Sequence, residues 1–254
     1  MTEAIAPALD IAGVGLLIDG VRILEEVTFT VPRGELLAVI GPNGAGKTSL
    51  INVISGATLA TSGAVHLAGR DVTRLSPHRR VRAGLGRTFQ TSNLFLGLTV
   101  HENVRLAGVA SRLRWSSALR PARASSALDA SIAEHLSLVG LGHHSDELAG
   151  SLSHGDRRKL ELAMVLIQRP DVILLDEPMA GVNIEDIDGL VELIRRVHHE
   201  EKVTVVMVEH HMDVVLDLAE RIGVMHDGRL LALDTPNEIT ANETVQAAYV
   251  GEAL

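Results

Sequence analysis

Cysteine is absent from all 254 residues, which excludes a disulfide framework, an iron–sulfur cluster and a cysteine zinc site. That absence fits a reducing compartment. There are only five aromatic residues, and three lysines (Lys47, Lys159 and Lys202) against twenty arginines. No apolar run approaches the roughly 18 residues that would span a bilayer. The longest, such as Leu162–Ile167 and Val203–Val208, suit buried helix or strand. The stretch Met1–Leu17 has no basic leader and carries Glu3 and Asp10, so a soluble cytoplasmic protein without a secretory signal is expected. Bases are outnumbered by acids, 23 to 32, and the formal charge of −9 argues against a dedicated nucleic-acid coat. What the chain does have is a 46% apolar share, ample for a packed core. Its length suggests one or two domains.

No internal repeat is visible. Residues 8–40 read as short strands, with Asp19-Gly20 as a hairpin turn, an alternating Val27–Val31 and a buried Leu36–Ile40. A helix is expected from Lys47 to Gly56 and a strand near Ala64–Ala68. Residues 91–165 have a helical texture, with an Arg/Ser/Ala-rich connector at Ser111–Ser126, and read as a helical subdomain inserted between parts of a sheet. From 171 onward strands (Val172–Leu175, Val203–Val208) alternate with helices (Ile184–His198, Met212–Arg221), which implies a parallel sheet with crossover helices. Ile222–Met225 and Leu230–Leu233 flank Asp227-Gly228 as a terminal hairpin.

The strongest motif is Gly41-Pro42-Asn43-Gly44-Ala45-Gly46-Lys47-Thr48, a G-x-x-x-x-G-K-[ST] loop between an apolar strand and a helix. Small residues let the chain wrap closely around phosphate oxygens, toward which backbone N–H groups and the helix N-terminus can point. Lys47 would reach the β and γ phosphates, and the Thr48 hydroxyl would ligate Mg²⁺, a hard ion that favours oxygen. Ser49 completes this phosphate-binding set. A second signal is Val172–Leu175 followed by Asp176-Glu177-Pro178, an apolar strand ending in two acids. Unpaired charge there is costly. Asp176 would hold Mg²⁺, and Glu177 would polarise the attacking water.

With these residues in place the chain resembles the ATP-binding cassette of an ABC transporter, over nearly its whole length and in the family's order. Gln90, in Arg87-Thr88-Phe89-Gln90, matches the Q-loop. Leu152-Ser153-His154-Gly155-Asp156 matches the signature motif, Ala180-Gly181-Val182-Asn183 the D-loop, and His210 the switch histidine. The resemblance implies a P-loop NTPase of the α/β class: a mostly parallel core sheet, an N-terminal antiparallel β-subdomain and the inserted helical subdomain, all in one domain spanning residues 1–254. It implies ATP and Mg²⁺ as cofactors, Lys47, Glu177 and His210 as catalytic residues, and Thr48, Gln90 and Asp176 around the metal. Ser153 and Gly155 would serve the nucleotide of an opposite cassette, so a homo- or heterodimer is implied. So are transmembrane permease subunits, indirectly an extracytoplasmic solute-binding protein, and a place on the inner face of the membrane. Ser153 is also a good N-cap for an amphipathic helix, Arg157–Gln168. The apolar run Leu94–Val100 is core in part, and in the family this region helps form the groove for a permease helix. The wording of Arg87–Gln90, Leu98–Val104, Ala180–Asn183 and Ala248–Glu252 resembles the LivG-type cassettes of branched-chain amino acid importers, with urea and short-amide importers as relatives.

Three positions depart from the pattern. His154 replaces a signature glycine, and Asn183 replaces the D-loop aspartate. Ile18 stands where an aromatic is expected against adenine, which keeps packing but loses the π-face. The pairs His143-His144, His198-His199 and His210-His211 do not suit a metal site, because adjacent helical residues do not share a face. Arg112, Arg114, Arg120 and Arg123, like Arg79, Arg80 and Arg82, read as solvated rather than lipid-bound. A non-transport ABC ATPase acting on DNA or ribosomes lacks support: neither a second cassette nor a basic extension is visible. A P-loop kinase leaves the signature helix unexplained, and Lys47, Asp176, Glu177 and His210 oppose a catalytically dead cassette.

Overall fold

Alternation along one short strand sets the architecture. In Leu36–Ile40 (β3) every residue is buried, yet Leu37 and Val39 pack into one hydrophobic cluster and Leu36, Ala38 and Ile40 into another. The sheet is therefore covered on both faces, as a parallel sheet requires. The computed structural model describes residues 6–88, 94–112 and 121–249.

The N-terminal strands are β1 (Leu9–Ile18) and β2 (Val21–Val31), joined across Asp19-Gly20 with Ile18 opposite Val21. They are long strands rather than the short ones expected. Register shifts between Ile11 and Leu16, next to Gly13 at φ 59°, kink the ribbon without ending it. With β4 (Ser62–Leu67) and β5 (Arg70–Asp71) they form an antiparallel sheet ordered β2-β1-β4-β5. Between the two sheets lies α1 (Lys47–Ser55), which buries Leu50, Ile51, Val53 and Ile54 in the cluster shared with β1 and β2. It ends at Gly56, left-handed at φ 78°.

The second sheet adds β6 (Leu85–Arg87), β7 (Val172–Asp176), β8 (Thr204–Val208), β9 (Arg221–His226) and β10 (Arg229–Asp234), in the order β10-β9-β3-β8-β7-β6. All its pairs are parallel except the terminal hairpin β9–β10. Edge strand β6 and the helix before it, α2 (Pro77–Arg82), carry too little periodicity to be read from sequence.

On the far face sit α3 (Val100–Arg112), α4 (Pro121–Leu138), α5 (His154–Leu166) and α6 (Ile184–Glu201). Val100, Val104, Ile132, Leu136 and Leu160 share one cluster with Ile173, Val205 and Met207 of the sheet, so these helices and the sheet have a continuous core. Three details correct the sequence reading. The connector at 111–126 is partly helical, since α3 runs to Arg112 and α4 starts at Pro121, where Pro suits a first turn. Helix α5 begins at His154, not Arg157, because Ser153 caps it there. Helix α7 (Met212–Leu218) stops before Arg221, which already belongs to β9. The chain closes with α8 (Pro236–Ala241) and α9 (Glu243–Tyr249).

Arg80 is a further correction. It is fully buried, not solvated. Its guanidinium donates to the carbonyls of Val53 and Ile54 at the end of α1, and to those of Thr73 and Leu75. Burial pushes its pKa down, opposed by Asp71. A cation at the carbonyl end of α1 offsets the helix dipole. Arg79 and Arg82 stay exposed, whereas the side chains of Arg112, Arg114, Arg120 and Arg123 lie outside those described.

Candidate active site

Each parallel strand delivers a loop at the same edge of the sheet. The register aligns Val39 with Val208 and Val208 with Asp176, so the ends of β3, β8 and β7 stand in a row. Beyond β3 lies Gly41–Ser49, beyond β7 Glu177, and beyond β8 Glu209 and His210. Ligands of open α/β sheets bind at such carboxyl ends. Gln90, beyond β6, lies outside the described residues, as does the chain after Tyr249.

The phosphate loop is shaped by its own protein first. At Gly41 (φ 150°) a Cβ would meet the Met225 carbonyl at 2.2 Å, and at Gly46 (φ 98°) it would meet Leu24 at 2.9 Å. Gly44 has open space around its Cβ position. The β9–β10 turn braces the loop, with the Gly228 N–H donating to Ala45 at 3.1 Å. Pro42 and exposed Asn43 form the crest, and Ala45 is buried beneath. Lys47 is buried and donates to the carbonyls of Gly41 (2.6 Å) and Pro42 (2.9 Å), which draws its ammonium under the loop. No side chain caps the N-terminus of α1 and no acid occupies its first turn, so the positive helix end faces the loop interior. A ring of small residues around a helix N-terminus and a lysine fits a polyphosphate. Thr48 is exposed, beside half-buried Ser49.

Asp176 is 3% exposed, and Arg87 Nη2 donates to its Oδ2 at 2.9 Å. The same guanidinium donates through Nη1 to Asn52 and Ser55 of α1. Arg87 was part of a sequence resemblance, but it carried no role there. The Thr48 hydroxyl and the Asp176 carboxylate, whose Oδ2 Arg87 holds, are both oxygen donors of the kind Mg²⁺ would take. Glu177 has φ 49°, a left-handed backbone that costs a non-glycine residue on the order of 1–3 kcal/mol. Its Oε1 lies 3.2 Å from His210 Nε2. An ionised carboxylate only accepts, so Nε2 carries the proton in this pair. Three members of the histidine pairs have partners elsewhere: His198 bonds to Val203 and Glu220, His144 to Glu147 and His211 to Glu209.

The signature residues stand apart from this row. Exposed Ser153 accepts the Asp156 N–H and donates to its carboxylate at 2.9 Å, a reciprocal cap of α5. Among the described residues its hydrogen bonds stay within that cap, and none reaches Gly41–Ser49. Partial burial works against the Asp156 charge, but bonds from Lys159 and Ser153 outweigh it and hold the carboxyl below its usual range. Gly155 packs on α6, where a Cβ would meet Asp186 at 3.4 Å. Asn183 precedes α6 and donates to Asp186 at 3.4 Å. Ile18 is exposed at the hairpin tip together with Leu17 and Val21, on the ribbon whose Ile23 and Leu24 border the phosphate loop.

Residues 24–180 match the family model of the ABC transporter. The high-affinity branched-chain amino acid transport ATP-binding protein LivG of Salmonella typhimurium is 36% identical, over 97% of this chain and 99% of its own. BraF of Pseudomonas aeruginosa, described in the same words, is 34% identical over the same shares. Among solved structures, the ADP conformation of an ATP-binding cassette of an ABC transporter superposes with a TM-score of 0.84 at 27% identity, over 96% of this chain and 99% of that one. With the loop, the carboxylate pair and the histidine all at one sheet edge, this chain belongs to the ABC transporter family, as one of its nucleotide-binding ATPase cassettes.

Proposed function

We propose that this cassette powers an ABC importer of branched-chain amino acids or related small polar solutes by binding and hydrolysing ATP. The alignment of Lys47, Asp176, Glu177 and His210 at the ends of adjacent parallel strands carries this reading. Gly41–Ser49 bind the phosphates through backbone N–H groups, and the Lys47 ammonium exchanges its loop carbonyls for phosphate oxygens. When bound, Mg²⁺ neutralises charge on the phosphates. Thr48, Asp176 and Gln90 would hold it. Glu177 accepts the proton of the attacking water, and His210 keeps the Glu177 carboxylate aimed. Ile18 packs on the base.

Ser153 and Gly155 act on the nucleotide of a second cassette, which accounts for an exposed cap away from its own phosphate loop. The whole chain acts as one ATP-binding domain with 91–165 as its helical subdomain. No described helix is long and apolar enough to cross a membrane. Membrane attachment, at the inner face, therefore comes through permease subunits, with a solute-binding protein as an indirect partner. LivG and BraF, alike end to end with this chain, support the solute class.

Glu177→Gln tests the reading. It should keep nucleotide binding, lower turnover about 10²–10⁴-fold, and trap a dimer seen by size-exclusion in ATP and Mg²⁺. A variant that stays monomeric and hydrolyses at the wild-type rate would overturn it.

A further inference from the structure

We propose that Glu209 is a positioning residue for hydrolysis, its two carboxylate oxygens each holding one of the loops that carry Glu177 and His210. The proposal rests on the hydrolytic reading of those two residues. Glu209 follows β8 and is 1% exposed. A carboxylate buried that deeply needs donors on both oxygens. Oε2 accepts the Met179 N–H at 3.2 Å, in the turn that begins with Glu177. Oε1 accepts the N–H of His210 at 2.8 Å and of His211 at 3.3 Å, and faces His211 Nδ1 at 2.8 Å.

The Glu177 turn needs such a hold because its backbone is left-handed. The Glu177 N–H is tied to Val208 at 2.9 Å, and its carbonyl accepts Ala180 at 3.0 Å. Beside the Glu177–His210 contact itself, the Met179 bond to Glu209 ties this turn to the histidine loop from a second point. With both loops fixed to one carboxyl group, Glu177 Oε1 and His210 Nε2 stay within bonding reach. A neutral amide cannot substitute. Glutamine has one acceptor oxygen, and its NH₂ would face a backbone N–H on whichever loop it turned toward. Glu209→Gln therefore releases one loop while keeping the side chain's size.

The test is a double-mutant cycle on hydrolysis, with fluorescent-nucleotide affinity and thermal unfolding as parallel readouts. Glu209→Gln should lower kcat about 10–100-fold, the scale of a misplaced catalytic group, with affinity for labelled ATP held within about twofold. In a His210→Ala background the same change should cost no more than about twofold further, since the geometry it protects is already gone. An equal loss in both backgrounds, or a loss of affinity matching that of kcat, would make Glu209 a packing residue and overturn the proposal. If Glu209→Gln does not fold, Glu209→Asp, which keeps the charge but is one methylene short, carries the same cycle. Wild-type hydrolysis by both Glu177→Gln and His210→Ala would instead sink the underlying assignment, whatever Glu209 does.

Discussion

Arg87 joins three elements through one guanidinium: strand β6 that carries it, Asn52 and Ser55 of α1, and Asp176 at the end of β7. Asp176 is almost fully buried, so removing its counter-charge leaves a carboxylate in a poorly solvating site. Arg87→Gln should lower stability by about 3–5 kcal/mol, measured by denaturant unfolding. Adding Asp176→Asn removes the stranded charge and should recover part of that loss. A double variant as unstable as the two single losses summed would show that the pair is not coupled. Ile18 lies at the opposite extreme, exposed at the tip of its hairpin. If the base rests there, affinity comes mainly from the phosphates, and GTP should compete measurably with ATP. Ile18→Tyr, titrated calorimetrically in a Glu177→Gln background, should tighten ATP by about 0.5–1.5 kcal/mol. Unchanged affinity would move the base to Leu17 or Val21, its exposed neighbours.

Helix α5 begins on a charged cap. The Ser153 hydroxyl satisfies the Asp156 N–H in its first turn, and Lys159 pairs with the Asp156 carboxylate at 2.9 Å. Because the folded Asp156 carboxyl lies below its usual range, its charge favours the native state. That contribution is complete above the ordinary aspartate value near pH 4. It fades as pH falls through the lower, folded value. Asp156→Asn removes the charge at every pH. The gap in melting temperature between wild type and Asp156→Asn should therefore be open at pH 7 and close in acid. A gap constant down to about pH 2 would mean that the charge contributes nothing and only the shape of the cap matters.

In the whole molecule, the face of β3 that carries Leu37 and Val39 meets α1 and the antiparallel sheet. The face that carries Leu36, Ala38 and Ile40 meets the helices that hold Ser153. The phosphate loop and the signature cap thus grow from different layers of one core, and within a single chain they form no bond to each other among the described residues. The proposed composite site between two cassettes would account for that separation. In the Glu177→Gln background, Ser153→Arg should leave monomer affinity for ATP unchanged and abolish the ATP-dependent dimer on size-exclusion. Equal loss of monomer affinity would place the serine at its own nucleotide instead.

Local chemistry sufficed for much of this protein. The phosphate loop, the paired acids at the end of β7, the hairpin turns Asp19-Gly20 and Asp227-Gly228 and the cap at Ser153 each need only neighbouring residues, so all were legible in the sequence. The buried Arg80, the Arg87–Asp176 pair and the two-loop grip of Glu209 were not. Each joins groups far apart in the chain: Arg87 is 89 positions from Asp176, and Glu209 is 30 from Met179. Nothing in an arginine or glutamate code tells whether the side chain ends in water or among buried donors and acceptors; packing of distant elements decides that. The same holds for Gly41. Its place in the motif was plain, but the need for glycine there comes from the Met225 carbonyl, brought alongside only when β9 pairs with β3.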